Sequence, residues 1–257
     1  MSKIDILILG SLTIDEINGR KQIGGPAFYT FFASLVMDVK VFLIGTAGED
    51  IPWDLHEFLP GILTIYRRTI SFRHIYDPVT HERTSYLLQP PEYKVSLFLK
   101  HLIDQLKPKA IIINPVYHEF SVKMLEQFLN RDCLIAGDVQ GFLRQIDEKK
   151  KVFLDKLPKE YKRLFENVNI VKTTMEEKVF LDKRYGEIFI VTKGKKGSEV
   201  FDGESARISA PIIPLEGDPT GAGDVFLFGF LARYIKTRDS SESLISVSYT
   251  HLTLPTN

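Results

Sequence analysis

The chain has 257 residues, 44% hydrophobic and 26% charged, which is long enough for one large globular domain or two small ones. Its 33 Lys and Arg balance its 33 Asp and Glu, and this zero net charge argues against a nucleic-acid or anionic-membrane partner. The apolar runs are far shorter than the roughly 20 residues of a membrane span, and no signal-peptide pattern opens the chain, so we expect a cytoplasmic protein.

Along the chain, short apolar runs ended by Gly, Asn or Asp alternate with longer segments of helical spacing. We predict strands over 4–9, 39–44, 110–113, 134–136, 168–171 and 188–191. We predict helices over 26–37, 95–106, 121–129, 151–157, 175–181 and 223–235. This alternation is typical of an α/β fold around a mostly parallel sheet.

Two stretches, at about 12–25 and 62–90, break this alternation. Both carry polar and β-branched residues in turn, as in hairpin strands inserted between α/β units. We predict that they form a small antiparallel sheet that stands off the main body. Because such a sheet cannot bury its free face alone, we expect it to cover a ligand or to pair with a second copy of the chain as a homodimer.

The most informative stretch is 217–230. Gly221, Ala222 and Gly223 directly precede an apolar helical run, so their backbone N–H groups can bind an anion at the helix N-terminus. Asp224 follows in the first helical turn, where a carboxylate suits a base that takes the proton of an attacking hydroxyl while the amides stabilise a transferring phosphoryl group. An ordinary glycine-rich helix start with an acidic residue is the alternative interpretation.

This stretch resembles the C-terminal signature of the ribokinase, or PfkB, carbohydrate kinase family, in which Asp and Thr precede Gly-Ala-Gly-Asp and an apolar helix. The resemblance implies a ribokinase-like three-layer α/β/α fold over 1–245. It also implies ATP-dependent phosphoryl transfer to a hydroxyl of a small sugar, cyclic polyol or nucleoside, with Mg²⁺ accompanying ATP. By position, Asp224 is then the base and the amides of Gly221, Ala222 and Gly223 form the anion hole.

Other stretches resemble the same family in the same order. The resemblance implies that the acceptor is bound by Asp15, Gly24, Gly25, Tyr29, Asp138 and Gln140. It implies that the nucleotide is bound by Lys172, Thr174, Thr192, Lys193, Gly194, Gly197 and Thr220. Tyr29 and Thr174 stand where the family usually has Asn, whereas the Glu of its Asn-x-x-Glu motif is kept as Glu177, which would hold Mg²⁺ through water. The stretch 138–144 resembles the branch of archaeal small sugar kinases and plant myo-inositol kinases.

Two other functions stay open. One is another ribokinase-like kinase, of the hydroxymethylpyrimidine type; the other is a non-catalytic ligand-binding relative, which Tyr29 and Thr174 motivate. The chain also departs from the family after Asp224, where the family continues through further helices, so the resemblance is to a C-terminally truncated member and truncation is a reason to expect inactivity. Residues 246–257 resemble translated sequencing adapter, and we expect a non-native tail that is extended or poorly packed.

Overall fold

The computed structural model of the protein describes residues 4–79, 83–129, 131–208 and 220–250. In chain order, the strands are β1 (Ile6–Leu9), β2 (Thr13–Ile17), β3 (Arg20–Gly24), β4 (Val41–Gly48), β5 (Gly61–Tyr66), β6 (Ser71–Tyr76), β7 (Arg83–Gln89), β8 (Ala110–Ile113), β9 (Leu134–Asp138), β10 (Arg144–Ile146), β11 (Val152–Leu154), β12 (Ile170–Thr174), β13 (Ile188–Thr192), β14 (Ser198–Asp202) and β15 (Ser205–Ile208). The helices are α1 (Pro26–Met37), α2 (Trp53–Phe58), α3 (Lys100–Leu106), α4 (Val122–Glu126), α5 (Gln140–Leu143), α6 (Lys159–Glu166), α7 (Met175–Lys178), α8 (Ala222–Thr237) and α9 (Ser240–Thr250).

Within these residues, nine strands form the central sheet, in the order β15-β14-β13-β12-β9-β8-β1-β4-β5. All neighbours from β13 to β5 are parallel, and β14 and β15 add an antiparallel edge. The predicted α/β fold with a mostly parallel sheet is therefore confirmed.

The central sheet is covered on both faces, as β1 shows. Ile6 and Ile8 belong to an apolar cluster that includes buried residues of α1 and α8. Leu7 and Leu9 belong to a second cluster, on the opposite face, with buried residues of α3, α4 and α6. A strand buried on both sides is apolar at every position, which explains why the parallel strands are so clear in the sequence. The predicted three layers are confirmed.

The small sheet has the order β3-β2-β6-β7. Its outer pairs, β2 with β3 and β6 with β7, are antiparallel as predicted, while β2 and β6 are parallel. Residues 62–66 were predicted here, but they lie in β5, which pairs with β4 in the central sheet. The reason is that β5 is an edge strand with exposed and half-buried side chains, so it has the polarity of a hairpin strand. Pairing of two copies through the small sheet stays a prediction.

The predicted helix over 151–157 is wrong, because β11 lies there and pairs with β10 as a hairpin. Asp147 Oδ1 accepts the backbone N–H groups of Lys149 at 2.9 Å and Lys151 at 2.8 Å. Lys150 has a φ of 64°, which completes the turn. An Asp that binds the backbone N–H two residues on favours a turn, and here this local chemistry outweighs the helical spacing.

The last described residues, 246–250, differ from the predicted tail. Residues 246–250 lie in α9, so an extended conformation is wrong for them, while 251–257 lie outside the described residues. Leu244 and Val247 are three residues apart and buried, which gives α9 an apolar contact with the rest of the chain. That the segment is non-native stays a prediction. Over the described ranges, no helix combines the length and apolarity needed to cross a membrane.

Candidate active site

The predicted site residues gather at the carboxyl ends of the parallel strands. Asp138, Thr174 and Thr192 are the last residues of β9, β12 and β13. Asn114 follows directly after β8. Because the carboxyl ends of parallel strands meet at one edge of a sheet, side chains from distant parts of the chain are brought together there.

The N-terminus of α8 faces this edge. Gly221 is its N-cap residue, with a φ of 82° that favours glycine, and ring atoms of Tyr29 occupy the space that a Cβ would need. The backbone N–H groups of Asp224 and Val225 both donate to the carbonyl of Gly221 at 3.0 Å. The first N–H groups of a helix have no acceptor within it, so those of Ala222 and Gly223 can bind an anion, as the sequence predicts.

Asp224 lies in the first turn of α8 with one side-chain partner of its own. Asn114 Nδ2 donates to Asp224 Oδ1 at 2.8 Å. Burial and the neighbouring Asp138 carboxylate raise the pKa of Asp224 to about 6, although Lys172, the Asn114 hydrogen bond and Arg144 act in the opposite direction. A carboxylate with a pKa near neutrality is well suited to accept a proton from a bound hydroxyl.

Because the pKa of Asp224 is raised, we predict that its ionisation lowers the free energy of unfolding as the pH rises. In the unfolded chain the carboxyl titrates near its ordinary 3.8 and in the folded chain near about 6, so the unfolded state loses its proton first and the free energy of unfolding falls between these values. We expect Asp224→Asn to gain about 1–3 kcal/mol of stability over the native chain between pH 4 and pH 7. Urea denaturation at both pH values checks this, and a pH-independent difference would contradict it.

Lys172 supplies a positive charge beside the same helix start. Its Nζ lies 2.7 Å from Asp138 Oδ2, and both side chains are buried. A Cβ on Gly223 would lie 2.7 Å from Lys172 Nζ, so residue 223 has to be glycine for the ammonium to approach α8 this closely. Burial by itself would lower the pKa of Lys172, but Asp138 and Glu177 raise it, and the ammonium stays charged. A fixed cation and helix N–H groups together suit a phosphate.

The residues predicted to bind the acceptor lie in the small sheet and in the loop before α1. Asp15 is buried, and His74 Nε2 lies 3.6 Å from its Oδ1. A Cβ on Gly24 would lie 2.5 Å from Asp15 Oδ2 and 3.2 Å from Tyr29 Oη, so these polar atoms surround the glycine. Gly25 has a φ of 89° and packs against the backbone of residues 11–13. Carboxylate and phenol oxygens placed around bare backbone are suited to bind hydroxyl groups.

The predicted nucleotide residues lie at the ends of β12 and β13. Thr192 Oγ1 donates to the carbonyl of Thr173 at 3.3 Å, and Lys193 forms an ion pair with Glu199. Gly194 and Gly197 delimit a 3₁₀ turn and both have positive φ. Thr220 is half-buried just before α8.

Gln140 N–H donates to Asp138 Oδ1 at 3.0 Å, which fixes the other oxygen towards Lys172.

Glu177 is the predicted metal residue, and it has a structural role as well. Thr174 is the N-cap of α7: its Oγ1 accepts the N–H of Glu177, while its own N–H donates to Glu177 Oε2 at 2.8 Å. Burial and Asp138 raise the pKa of Glu177. Over the described residues, no three His, Cys, Asp or Glu side chains form a metal cluster. One free carboxylate oxygen fits Mg²⁺ only if phosphates and water supply its other ligands, which is the coordination Mg²⁺ prefers.

Two residues that are not among the predicted site residues, Asn114 and Arg144, also lie at the site. Arg144 Nη1 donates to the carbonyl of Val116 at 3.1 Å, and its guanidinium lies 5.2 Å from the ring centre of Phe72 in the small sheet. A polar residue directly after a wholly apolar strand was the available signal for Asn114. Arg144 does not follow an apolar strand. Its position depends on the β10–β11 hairpin, whose second strand lies within the predicted helix.

Comparison with known proteins finds kinases. Residues 138–250 match the model of the pfkB family of carbohydrate kinases. The cytidine kinase of Thermococcus kodakarensis is 26% identical over 261 residues, which cover 93% of this chain and 91% of that protein. The inositol 3-kinase of Oryza sativa subsp. japonica is 33% identical over 117 residues, which cover 41% of this chain and 29% of that protein.

A solved structure shows the same fold. It is a pyrophosphate-dependent kinase of the ribokinase family complexed with a pyrophosphate analogue and myo-inositol, and it matches with a TM-score of 0.73. The two sequences are 18% identical, and the match covers 95% of this chain and 92% of that one. The chain therefore has a ribokinase fold, its residues 138–250 match the pfkB family of carbohydrate kinases, and the proteins that it resembles are kinases.

Proposed function

We propose that the chain catalyses ATP-dependent phosphoryl transfer to a hydroxyl of a small cyclic polyol or nucleoside. The observation that carries the proposal is the arrangement around the start of α8, where Asp224 lies beside helix N–H groups and the Lys172 ammonium. A base next to an anion site has a chemical use when the anion is a phosphoryl group and the base activates the hydroxyl that attacks it.

In the proposed reaction, Asp224 takes the proton of the acceptor hydroxyl as its oxygen forms a bond to the terminal phosphorus of ATP. The bond from that phosphorus to the bridging oxygen breaks, and ADP leaves. The N–H groups of Gly221, Ala222 and Gly223, with Lys172, hold the negative charge of the transferring group. Mg²⁺, when it arrives with the nucleotide, neutralises phosphate charge, and Glu177 would hold it through water.

We assign acceptor binding to Asp15, Gly24, Gly25 and Tyr29, with Asp138 and Gln140 at the rim. The burial of Asp15 beside His74 supports this, because a buried carboxylate close to bare glycine backbone can bind two neighbouring hydroxyls. Both similar proteins carry names of substrates with neighbouring hydroxyls, cytidine and inositol. A nucleoside or a cyclic polyol is therefore the acceptor class that we propose.

We assign nucleotide binding to Thr174, Thr192, Lys193, Gly194, Gly197 and Thr220. Thr174 and Thr192 end β12 and β13, Lys193 to Gly197 follow β13, and Thr220 precedes α8. A second donor, pyrophosphate, is favoured by one observation: the matched ribokinase-fold structure is of a pyrophosphate-dependent kinase. The buried Lys172 ammonium beside the start of α8 can bind the phosphate groups of a donor. This interaction does not require the adenine or the ribose of a nucleotide.

A panel of donors and acceptors tests the proposal. ATP or pyrophosphate is incubated with cytidine, other nucleosides, myo-inositol, ribose and hydroxymethylpyrimidine, and the phosphorylated product is measured by mass spectrometry. We expect ATP-dependent phosphorylation of a nucleoside or an inositol, with Asp224→Asn as the inactive control. If the acceptor is phosphorylated with pyrophosphate but not with ATP, pyrophosphate replaces ATP as the proposed donor. Product from hydroxymethylpyrimidine only, or from none of the acceptors, would contradict the proposed acceptor class or the catalytic function itself.

A further inference from the structure

The side chain that contacts Asp224 lies at the end of a neighbouring strand. Asn114 is 1% exposed, and its backbone N–H donates to the carbonyl of Leu9 at 2.8 Å, which joins it to the end of β1. Its side-chain nitrogen donates to Asp224 Oδ1 at 2.8 Å. The amide can take only this orientation, because the reverse would place its carbonyl oxygen against the carboxylate.

The other end of the same amide has no such anchor. Within the described part of the chain, Asn114 Oδ1 is buried and has no hydrogen-bond partner. The two polar atoms of an amide are about 2.3 Å apart, so this oxygen lies within about 5 Å of the Asp224 carboxylate. A buried acceptor without a partner lowers stability, so the amide at this position is not explained by folding alone.

The backbone of the loop after Asn114 is fixed by hydrogen bonds to Glu119 and by close packing against Gly141. Glu119 is fully buried, and its carboxylate accepts the backbone N–H of Val116 at 2.9 and 3.0 Å and that of Tyr117 at 2.9 Å. On the other side, the carbonyl of Pro115 touches Gly141 so closely that a Cβ there would collide with it. With the backbone fixed at both ends of residues 114–119, the Asn114 amide has little freedom to follow a moving carboxylate.

We propose that Asn114 is a positioning residue, which holds one oxygen of Asp224 so that the other oxygen meets the acceptor hydroxyl. This inference rests on the proposed role of Asp224 as the base. A carboxylate in a helix first turn can rotate about its side-chain bonds, and a donor at a fixed point selects one orientation. The same bond stabilises the ionised form, which is the form able to take a proton.

The charged groups that face Asp224 from the neighbouring elements are Asp138 at the end of β9, Lys172 on β12 and Arg144 at the start of β10. Asp138 disfavours the ionised form, whereas Lys172 and Arg144 favour it. Removing the Asn114 donor leaves these three groups in place, so the apparent pKa of the base should rise. The acid limb of the kcat–pH profile should then move to higher pH.

The test compares Asn114→Leu with Asn169→Leu. Leu at 114 has a similar size and removes both the donor and the unpartnered acceptor, so we expect the variant to fold. Asn169 is a matched control, because its side-chain oxygen accepts the N–H of Ile135 at 2.9 Å just before β12, at the opposite end of the sheet. We expect Asn114→Leu to lower kcat roughly tenfold or more at pH 7 and to shift the acid limb upward, with KM for the acceptor little changed. Asn169→Leu should leave the profile in place.

A second variant and a double-mutant cycle complete the test. Asn114→Asp keeps the size and places a carboxylate against Asp224, so the acid limb should move further in the same direction. In the Asp224→Asn background, Asn114→Leu should change the residual rate less than about twofold, because the base it positions is gone. An unshifted acid limb in both variants, or an equal loss in the two backgrounds, overturns the inference. If Asp224→Asn itself keeps normal turnover, the proposed role of Asp224 as the base fails instead.

Discussion

Replacing Asp224 by Asn lowers kcat by at least about a hundredfold while donor affinity is nearly kept. Asn has the size of Asp and still accepts the hydrogen bond from Asn114, but it cannot take a proton from the acceptor hydroxyl. The N–H groups of α8 and the ammonium of Lys172 are unchanged, and these are the groups that we propose to hold the donor phosphates. Steady-state kinetics with the best donor and acceptor pair, together with donor binding by calorimetry, measures both quantities.

Asp54→Asn is the matched control for this variant. Asp54 also lies in the first turn of a helix, α2, but its side chain is exposed, whereas Asp224 is bound by Asn114. The control should keep native turnover. If Asp224→Asn retained near-native kcat, Asp224 would not be the base, and its hydrogen bond with Asn114 would have only a structural meaning.

Replacing Lys172 by Met lowers the free energy of unfolding by about 3–5 kcal/mol at pH 7. Met keeps the length of the side chain and removes the ammonium, so Asp138 remains buried without its partner at 2.7 Å and faces Asp224 and Glu177. Uncompensated carboxylates take up protons more readily, so the loss should shrink as pH falls. Urea denaturation from pH 5 to pH 8 measures the loss and its pH dependence.

Lys109→Met provides the comparison on the surface. Lys109 forms an ion pair with Asp5 at 2.6 Å, but the lysine is half-exposed and water screens the pair. Its removal should cost less than about 1 kcal/mol. Equal losses in the two variants would mean that the buried Lys172 does not compensate the carboxylates around it, and the electrostatic account of the site would then be wrong.

The parts of the fold that could be predicted are those whose signal is local. Helix α1 has the predicted bounds, 26–37, because Pro26 opens it and an apolar stripe runs to its end. Strand β8 has its predicted bounds, 110–113, because a strand buried on both faces is apolar throughout. The placement of 62–66 failed because it depends on pairing with β4, a tertiary contact that the local pattern does not contain. The helix over 151–157 failed for a local reason, because the turn formed by Asp147 outweighs the helical spacing.

The residues of the candidate site also fall into those with a local sequence pattern and those that are brought together only by tertiary contacts. Gly221 to Asp224 carry their chemistry within four consecutive residues, so the anion site and its carboxylate could be located from the sequence. Asn114 is 110 residues away from Asp224 along the chain and meets it only because β8 ends beside the start of α8. Lys172 could be assigned to the site by resemblance, but its ion pair with Asp138 and its approach to Gly223 appear only in three dimensions.

The position of α8 after the other elements of the candidate site has a consequence for synthesis. Asn114, Asp138 and Lys172 leave the ribosome well before Asp224, so the nascent chain holds an anion-binding edge that lacks its helix start and its base. Ala27 and Phe31 of α1 belong to the apolar cluster that α8 completes, and they remain uncovered over the same interval. Parallel sheets with such distant contacts fold slowly. Until α8 emerges, the growing chain therefore lacks the carboxylate that we propose as the base and exposes the apolar surface that α8 covers.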